Sequence, residues 1–292
     1  MFMARASLNR KALMAQILEA RTLVLHGQLM ALAAASLLLL AAAPAYAAPC
    51  GNNSAGFENW KRAFAQEAAA NGVGQRGIQA LKGTTYSTGT IRADRGQKSF
   101  KLTLDQFMKK RGGPAIAARG KKMKAANAAL LASIEKRYGV PPGPLLAIWG
   151  METGFGGFMG NQNTISAVAT LAYDCRRTEY FTGHLYAALQ LIDRGSLSPG
   201  QRGAMHGEVG QTQFLPKSIL LYGVDGDGNG RVDLNSKADA LASTANFLRG
   251  HGWVPGAGYQ PGQPSYVAIQ GWNAAGVYQQ AIAIIGRQID GG

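Results

Sequence analysis

One carboxylate stands out in this sequence because its neighbours are apolar residues and glycines. Glu152 lies within LLAIWGMETGFGG, residues 145–157. In a helix it shares a face with Leu145 and Ile148, which precede it at helical spacing. A carboxyl removed from water has a raised pKa, so it keeps a proton near neutral pH and can act as a general acid. A buried structural glutamate produces the same pattern, and this stretch alone does not separate the two interpretations.

Other catalytic patterns find little support in the sequence. The glycines at positions 154, 156, 157 and 160 follow a predicted helix and lack the spacing of a dinucleotide-binding loop. There is no nucleophile-elbow serine, no HExxH motif and no third cysteine for a zinc site, and there are only four histidines. A protonated carboxyl beside aromatic and amide side chains indicates carbohydrate chemistry instead.

Helices are expected to position this carboxyl. YGVPPGP ends one helix and starts the next near Pro144, since proline is accepted in a first helical turn. Apolar residues recur at helical spacing in two other stretches, at Phe57, Trp60 and Phe64 and at Leu130, Ile134 and Tyr138. Residues 72–100 are polar and rich in Thr and Gly, which predicts a loop or a small irregular lobe. We therefore predict a mainly α fold in a single compact domain.

The N-terminal segment has the pattern of a secretory signal peptide. Four basic residues precede the apolar run LMALAAASLLLLAAA, residues 29–43, which is too short to span a bilayer comfortably and is followed by AYA. We predict a signal peptide over 1–47, a catalytic domain over 48–292, a periplasmic location and no stable membrane span after cleavage; a retained anchor is the alternative. Pro49 before Cys50 fits a lipidation site poorly, so we do not expect a lipoprotein.

The predicted export affects how the two cysteines and the positive net charge are interpreted. Cys50 and Cys175 are the two cysteines, and an oxidising compartment favours a disulfide between them over two free thiols. The net charge is +14, and because the leader holds four basic residues and one acid, the remainder carries +11. In an exported protein this charge favours an anionic wall polymer over nucleic acid as the partner. The densest basic cluster, residues 109–124, is equally consistent with a solvated helix face.

Four segments in order resemble the lytic murein transglycosylase B family. They are IEKRYGVPPGPLLAIWGMETGFGGFMG, ATLAYDCRRTEYFTGHL, GEVGQTQFLPKSILLYGVDGDGNG and ALASTANFLRGHGW. The resemblance implies a lysozyme-like, mainly helical (α+β) fold with a groove for peptidoglycan glycan strands, and a monomer. It also implies that Glu152 is the single acid/base. That residue would cleave the bond between N-acetylmuramic acid and N-acetylglucosamine and leave a 1,6-anhydro end, with no cofactor required.

The same resemblance implies the residues that bind the glycan. They are Gln213 in GQTQF, Asn273 and Tyr278 in GWNAAGVYQQ, and the pair Arg176 and Arg177, which would meet anionic peptide stems. The alternatives are a core or capping amide for Gln213 and ion pairs with Glu179 or another acid for the arginines. Trp272 stands where the family is expected to carry tyrosine, and either stacks on a sugar or belongs to the core.

Three functional classes remain open: a transglycosylase, a muramidase that uses water, and a catalytically silent glycan-binding module. Glu208 in HGEVG could be a second carboxylate that activates water, which would make the protein a muramidase, or it could orient a neighbour or pair with a basic residue. The third class is a silent glycan-binding module, against which the presence of Glu152, Gln213 and Asn273 argues.

DGDGNGRVDLNS, residues 225–236, reads as a calcium loop. Its predicted ligands are Asp225, Asp227, Asn229, the carbonyl of Arg231 and Asp233. Ser236 occupies the last position in place of a bidentate acid, so we predict weak calcium binding. An Asp/Gly turn without metal is the alternative.

Overall fold

The computed structural model describes residues 48–96 and 102–292. The predicted signal peptide therefore lies outside the described residues. The described part is mostly helical, as predicted. Its helices are α1 (Phe57–Ala70), α2 (Gln75–Lys82), α3 (Thr88–Arg95), α4 (Leu104–Arg111), α5 (Gly113–Ala126), α6 (Ala128–Tyr138), α7 (Pro142–Thr153), α8 (Thr164–Tyr173), α9 (Thr178–Asp193), α10 (Pro216–Tyr222), α11 (Lys237–Gly250), α12 (Tyr266–Trp272) and α13 (Gly276–Asp290). A two-stranded antiparallel sheet pairs β1 (Gln162–Asn163) with β2 (Arg202–Gly203).

The helix that carries Glu152 lies at the centre of the molecule. α7 packs most extensively on α13 and also on α5, α6 and α11. Every residue of α7 except Glu152 is buried. The helix is therefore apolar around its whole circumference, which is typical of a helix enclosed by others. The sequence predicted a single apolar face that turns Glu152 inward. Because the helix is buried on all sides, it is the position of Glu152 in the last turn that sets where its side chain lies.

Two shorter helices occupy the segment for which the sequence predicted an irregular lobe. α2 and α3 lie between residues 75 and 95, so that expectation was wrong for this part of the segment. The Asp193 carboxylate, at the end of α9, accepts hydrogen bonds from the backbone N–H groups of Gly74 (2.6 Å) and Gly77 (2.8 Å) at the start of α2. Ser87 caps α3 by accepting from the Thr90 N–H at 3.1 Å. The cap of α2 comes from a residue more than a hundred positions away, which local sequence cannot reveal.

The predicted disulfide is present. Cys50 and Cys175 are bonded across a sequence separation of 125 residues. Beside it, Gly51 donates its N–H to the Tyr173 carbonyl (3.0 Å), and Cys175 donates to the Gly51 carbonyl (3.3 Å). A side chain on Gly51 would meet the Tyr173 hydroxyl at 2.0 Å, so glycine is needed for this close approach. The disulfide thus ties the start of the described chain to the end of α8.

The loop between β2 and α10, residues 204–215, is held close to α8. Gly207 has φ +91°, and a Cβ there would lie 2.5 Å from Val168 Cγ2 of α8. Only glycine combines this backbone conformation with so close an approach. The loop brings Glu208 and Gln213 toward the C-terminal end of α7. None of the helices in the described ranges combines the length and the apolar character that crossing a membrane requires.

Candidate active site

Glu152 lies in the last turn of α7. Gly154, at φ 59°, ends the helix in the left-handed conformation and donates its N–H to the Gly150 carbonyl. Pro142 begins the helix, two residues before the predicted start. Phe155 follows with φ 60°, a conformation that costs a non-glycine residue about 1–3 kcal/mol. Strain of this kind is concentrated at functional sites.

Two donors from the C-terminal helices bind the same oxygen of Glu152. The Tyr278 hydroxyl donates to Oε1 at 2.7 Å, and the Trp272 indole Nε1 donates to Oε1 at 3.0 Å. Within the described residues both side-chain hydrogen bonds to this carboxyl reach Oε1. A carboxylic acid whose Oε1 accepts two hydrogen bonds carries its proton on Oε2. In its protonated form Glu152 would therefore carry the proton on Oε2, the oxygen that neither of these donors binds.

The environment of Glu152 favours the protonated acid. Burial is the main cause that raises the pKa of its carboxyl. The hydrogen bonds from Tyr278 and Trp272 and the positive charge of Arg111 oppose this rise, while the negative charge of Glu208 adds to it. The net result is a raised pKa. The side chain of Glu152 is partly buried, whereas the other residues of α7 are buried.

Tyr278 is a fixed donor. Its side chain is buried against Phe107, with 5.5 Å between ring centroids. Burial, followed by the charge and hydrogen bond of Glu152, raises the pKa of the Tyr278 hydroxyl well above its ordinary value. The hydroxyl therefore stays protonated at any physiological pH and donates to Glu152 throughout.

Arg111 is a member of the site that sequence reasoning did not identify. Its guanidinium lies 5.6 Å from the centre of the Tyr278 ring and 5.5 Å from that of Phe107. It also reaches the Met151 carbonyl at 3.5 Å. The sequence placed Arg111 in a basic cluster, and only the packing of α4 against α13 separates it from the rest of that cluster.

Trp272 belongs to an aromatic cluster. Its ring packs edge to face against Phe214 at 5.4 Å and Phe247 at 5.0 Å. His251 stacks on Phe247 at 3.8 Å. These contacts fix the indole so that its N–H points at Glu152. The sequence predicted that Trp272 either stacks on a sugar or belongs to the core, and neither prediction included this hydrogen bond.

Gln213 and Asn273 both make hydrogen bonds to the backbone. Gln213 has φ 57°, and its side-chain Nε2 donates to the carbonyls of Gly210 (2.7 Å) and Met159 (3.3 Å). Asn273 Oδ1 accepts the Ala275 N–H at 2.9 Å. The donors of Gln213 and the acceptor of Asn273 are thus engaged, which leaves Gln213 Oε1 and Asn273 Nδ2 for a ligand. Neither residue contacts Glu152 directly through a hydrogen bond.

The two arginines form ion pairs with acids that sequence reasoning did not name. Arg177 Nε lies 3.2 Å from Asp94 Oδ1, and Arg176 contacts Asp94 through Nη2 and lies 3.5 Å from Asp174. The side chains of Asp94 and Asp174 are 5% and 2% exposed. Removing either arginine would leave a buried acid without one of its partners and would destabilise the fold. The arginines therefore have a structural role, with or without a role in binding.

Glu208 is bound by a histidine. The His206 N–H donates to Oε2 at 3.0 Å, and His206 Nδ1 lies 3.1 Å from Oε1. Burial raises the pKa of the Glu208 carboxyl, but the hydrogen bonds and charge of His206 outweigh it and lower the pKa overall. Glu208 is therefore an ionised carboxylate with both oxygens engaged.

The loop at residues 225–236 brings together a different set of acids from the predicted one. Oxygens of Asp225, Asp227 and Asp239 lie within 4.8 Å of one another, whereas Asp233 is not part of this group in the described chain. Asn229 and Arg231 are linked within the loop, since Asn229 Oδ1 accepts the Arg231 N–H at 2.9 Å.

Asp239 is the acid that the loop pattern lacked. It lies in the first turn of α11, three residues after Ser236, and is completely buried. It accepts the N–H groups of Gly226 (2.8 Å) and Asp233 (2.7 Å). Three clustered carboxylates, one of them buried, are the oxygen donors that Ca²⁺ prefers, so these residues fit the ion. The sequence pattern did not reveal Asp239 because this residue lies outside the twelve-residue loop, residues 225–236, to which the pattern applies.

Comparisons with known proteins identify the family of this chain. The Transglycosylase SLT domain family matches residues 56–263. Membrane-bound lytic murein transglycosylase B of Escherichia coli K12 is 38% identical over 137 residues, covering 44% of this chain and 38% of that protein. The chain thus spans less than two fifths of the length of this curated relative.

Solved structures show the same fold. Two structures of SltB3 from Pseudomonas aeruginosa, one in complex with NAG-anhNAM-pentapeptide and one with NAG-NAM-pentapeptide, are 28% and 29% identical. Each has a TM-score of 0.74 and covers 81% of this chain and 80% of its own. The resemblance inferred from the sequence is confirmed: this chain belongs to the Transglycosylase SLT domain family.

Proposed function

We propose that this protein is a peptidoglycan lytic transglycosylase in which Glu152 is the acid/base. The observation that carries the proposal is the Glu152 carboxyl, which has a raised pKa and accepts hydrogen bonds from Tyr278 and Trp272 at Oε1, so that neither donor occupies Oε2. Family membership supports it, as do the SltB3 complexes with peptidoglycan fragments. The substrate is the β-1,4 bond between N-acetylmuramic acid and N-acetylglucosamine.

In the first step Glu152 acts as an acid. Its Oε2 proton passes to the glycosidic oxygen, and the C1–O bond of the muramic residue breaks. The 2-acetamido group of that sugar stabilises the positive charge that develops at C1. No second carboxylate is needed as nucleophile, since the substrate supplies that group.

In the second step the ionised Glu152 acts as a base. It removes the proton from the C6 hydroxyl of the muramic residue, whose oxygen bonds to C1 and displaces the acetamido group. Glu152 is protonated again, and the product carries a 1,6-anhydro end. Tyr278, Trp272 and Arg111 stabilise the carboxylate between the steps, because each favours its ionised form.

The engagement of Glu208 favours transglycosylation over hydrolysis. A base that activates water works best with a pKa near the working pH. Glu208 has a lowered pKa, and His206 fixes its orientation by contacts with both oxygens. The non-catalytic binding module is disfavoured because such a module has no use for the tuned acid at Glu152.

We assign supporting roles to the remaining predicted residues. Gln213 and Asn273 would bind sugar amides and hydroxyls through Oε1 and Nδ2. Arg176 and Arg177 would support the groove wall while paired with Asp94. Ca²⁺ would be held by Asp225, Asp227 and Asp239, where it would neutralise their charge and rigidify the loop without entering the reaction. We further propose that the protein is an exported periplasmic monomer that acts on glycan strands.

Mass spectrometry of fragments released from purified peptidoglycan tests the proposal. The protein should release anhydro ends, Glu152→Gln should release none, and Glu135→Gln, the same change on an exposed carboxyl, should behave as wild type. Reducing ends that carry oxygen from labelled water would identify a hydrolase. No release by the wild-type protein would favour the binding module.

A further inference from the structure

The chain around Gln213 forms a tight hairpin over residues 209–214. Val209 and Phe214 pair as an antiparallel bridge, in which the N–H of each donates to the carbonyl of the other at 2.8 and 3.0 Å. Between them Gly210 has φ +76° and Gln213 has φ 57°. A non-glycine residue in this conformation persists only where its surroundings enforce it. The hairpin therefore needs contacts from outside to keep Gln213 in place.

Gln211, at the tip of the hairpin, supplies such contacts. Its two backbone groups and both ends of its side-chain amide are hydrogen-bonded to residues outside the hairpin. The backbone N–H donates to the Leu234 carbonyl (2.9 Å), and the carbonyl accepts the Thr153 hydroxyl (2.7 Å). Oε1 accepts the Trp149 indole N–H (2.8 Å), and Nε2 donates to the Asn235 carbonyl (2.7 Å). Gln211 thus joins the hairpin to α7 on one side and to the loop before α11 on the other.

The bonds to α7 reach the turn that carries the acid. Thr153 directly follows Glu152, and its hydroxyl also accepts the Gly156 N–H at 2.9 Å. A Cβ on Gly156 would lie 2.6 Å from Gln211 Oε1, so the turn after the acid and the Gln211 amide are in close contact. Gln211 is therefore tied to the residue after Glu152 and stands two residues before Gln213.

The bonds on the other side reach backbone that is itself anchored. The Asp233 N–H donates to the buried Asp239 of α11 at 2.7 Å. The Asn235 N–H donates to Asp233 Oδ1 at 2.9 Å. The carbonyls of Leu234 and Asn235 lie within this fixed stretch. An amide with a fixed partner at each end keeps one orientation, so Gln211 can act as a rigid link between the two elements.

We propose that Gln211 is a positioning residue that holds Gln213 in register with α7, so that a sugar bound by Gln213 presents its glycosidic oxygen to Glu152. The inference rests on the proposed transglycosylase function. Its physical basis is that catalysis depends on the placement of the reacting atoms, and a misplacement of about 1 Å can lower the rate by about 100-fold. The hydrogen-bond partners of Gln211 do not include Tyr278 or Trp272, so its role is distinct from the tuning of the acid.

A double-mutant cycle between Gln211 and Gln213 tests this role. Gln211→Leu keeps a side chain of similar size and removes both side-chain hydrogen bonds. We expect kcat/KM for anhydro-fragment release to fall about tenfold or more when Gln213 is present. In the Gln213→Ala protein the same change should lower kcat/KM by no more than about twofold, because the amide to be positioned is already gone. The limbs of the pH profile should stay at their wild-type positions.

Gln260→Leu is the matched control. Gln260 is also a partly buried glutamine, and its Nε2 donates to the Ala283 carbonyl at 2.9 Å. This variant should lose stability and keep kcat/KM. If Gln211→Leu does not fold, Trp149→Phe takes its place in the cycle, because it removes the donor to Oε1 and keeps a ring beside Phe155, where the rings now lie 5.4 Å apart.

The same cycle is measured as binding of soluble glycan strands to the Glu152→Gln protein, where Gln211→Leu should weaken binding only while Gln213 is present. A kcat/KM in Gln211→Leu within about twofold of wild type, equal losses with and without Gln213, or a displaced alkaline limb would overturn the inference. If the wild-type protein released no fragment, the proposed function would fail, and the binding cycle would still decide the role of Gln211.

Discussion

Replacement of Trp272 by phenylalanine should separate the two tasks of Glu152. The indole N–H donates to Glu152 Oε1 at 3.0 Å, while the ring packs on Phe214 and Phe247. Trp272→Phe keeps an aromatic ring in the cluster and removes the donor. A hydrogen bond to a charged group contributes about 1.5–3 kcal/mol, so loss of this one should lower kcat by about 10- to 100-fold through the carboxylate formed between the steps.

The pH profile should change in a defined direction. The hydrogen bond from Trp272 lowers the pKa of Glu152, so its removal raises that pKa further. Glu152 then stays protonated to higher pH, and the alkaline limb of kcat should move upward.

Trp253→Phe controls for loss of an indole and its hydrogen bond. Trp253 is buried, and its Nε1 donates to the Gly139 carbonyl at 2.9 Å. This variant should lose stability yet keep the wild-type pH profile. The assay is the rate of anhydro-fragment release from purified peptidoglycan between about pH 4 and about pH 9, a range that extends well above the ordinary pKa of a glutamate. If Trp272→Phe retained kcat within about twofold and an unmoved alkaline limb, the assigned role of the indole would be refuted.

Three further predictions concern stability. Replacing Cys50 and Cys175 with serine should lower the free energy of unfolding by about 4 kcal/mol, measured by urea denaturation, and no loss would contradict a stabilising role for the disulfide. Ca²⁺ should raise Tm, by an amount equivalent to about 2.7 kcal/mol at a hundredfold excess over Kd, and Asp227→Ala, which removes both side-chain oxygens, should abolish the rise; an equal rise in the variant would exclude this site. Burial lowers the pKa of His184 from 6.5 to about 4, so the protein should lose up to about 3 kcal/mol of stability as pH falls from 6.5 to 4. Denaturant titration should show that His184→Asn loses less of its free energy of unfolding over that pH interval. Equal losses in both proteins would contradict the role assigned to His184.

The sequence alone predicted much of the proposed chemistry. Glu152, a carboxyl in an apolar helix ending in glycines, is recognisable because helix periodicity and turn residues are local signals. Helix faces such as that of Phe57 and Trp60 followed for the same reason and are buried as expected. The disulfide between Cys50 and Cys175 was inferred from an even cysteine count in a chain predicted to be exported.

Tertiary structure decided how that carboxyl is tuned. Trp272 and Tyr278 reach Glu152 Oε1 across more than a hundred residues of sequence, and Arg111 arrives from a helix on the other side. Asp239 completes the acidic cluster of the predicted calcium loop in the same way. Hydrogen bonds and Coulomb interactions depend on distance in space, which residue spacing does not encode. The sequence by itself therefore predicted which residue is the acid, whereas the packing of α4, α7, α12 and α13 decided which hydrogen-bond donors and charges surround its carboxyl.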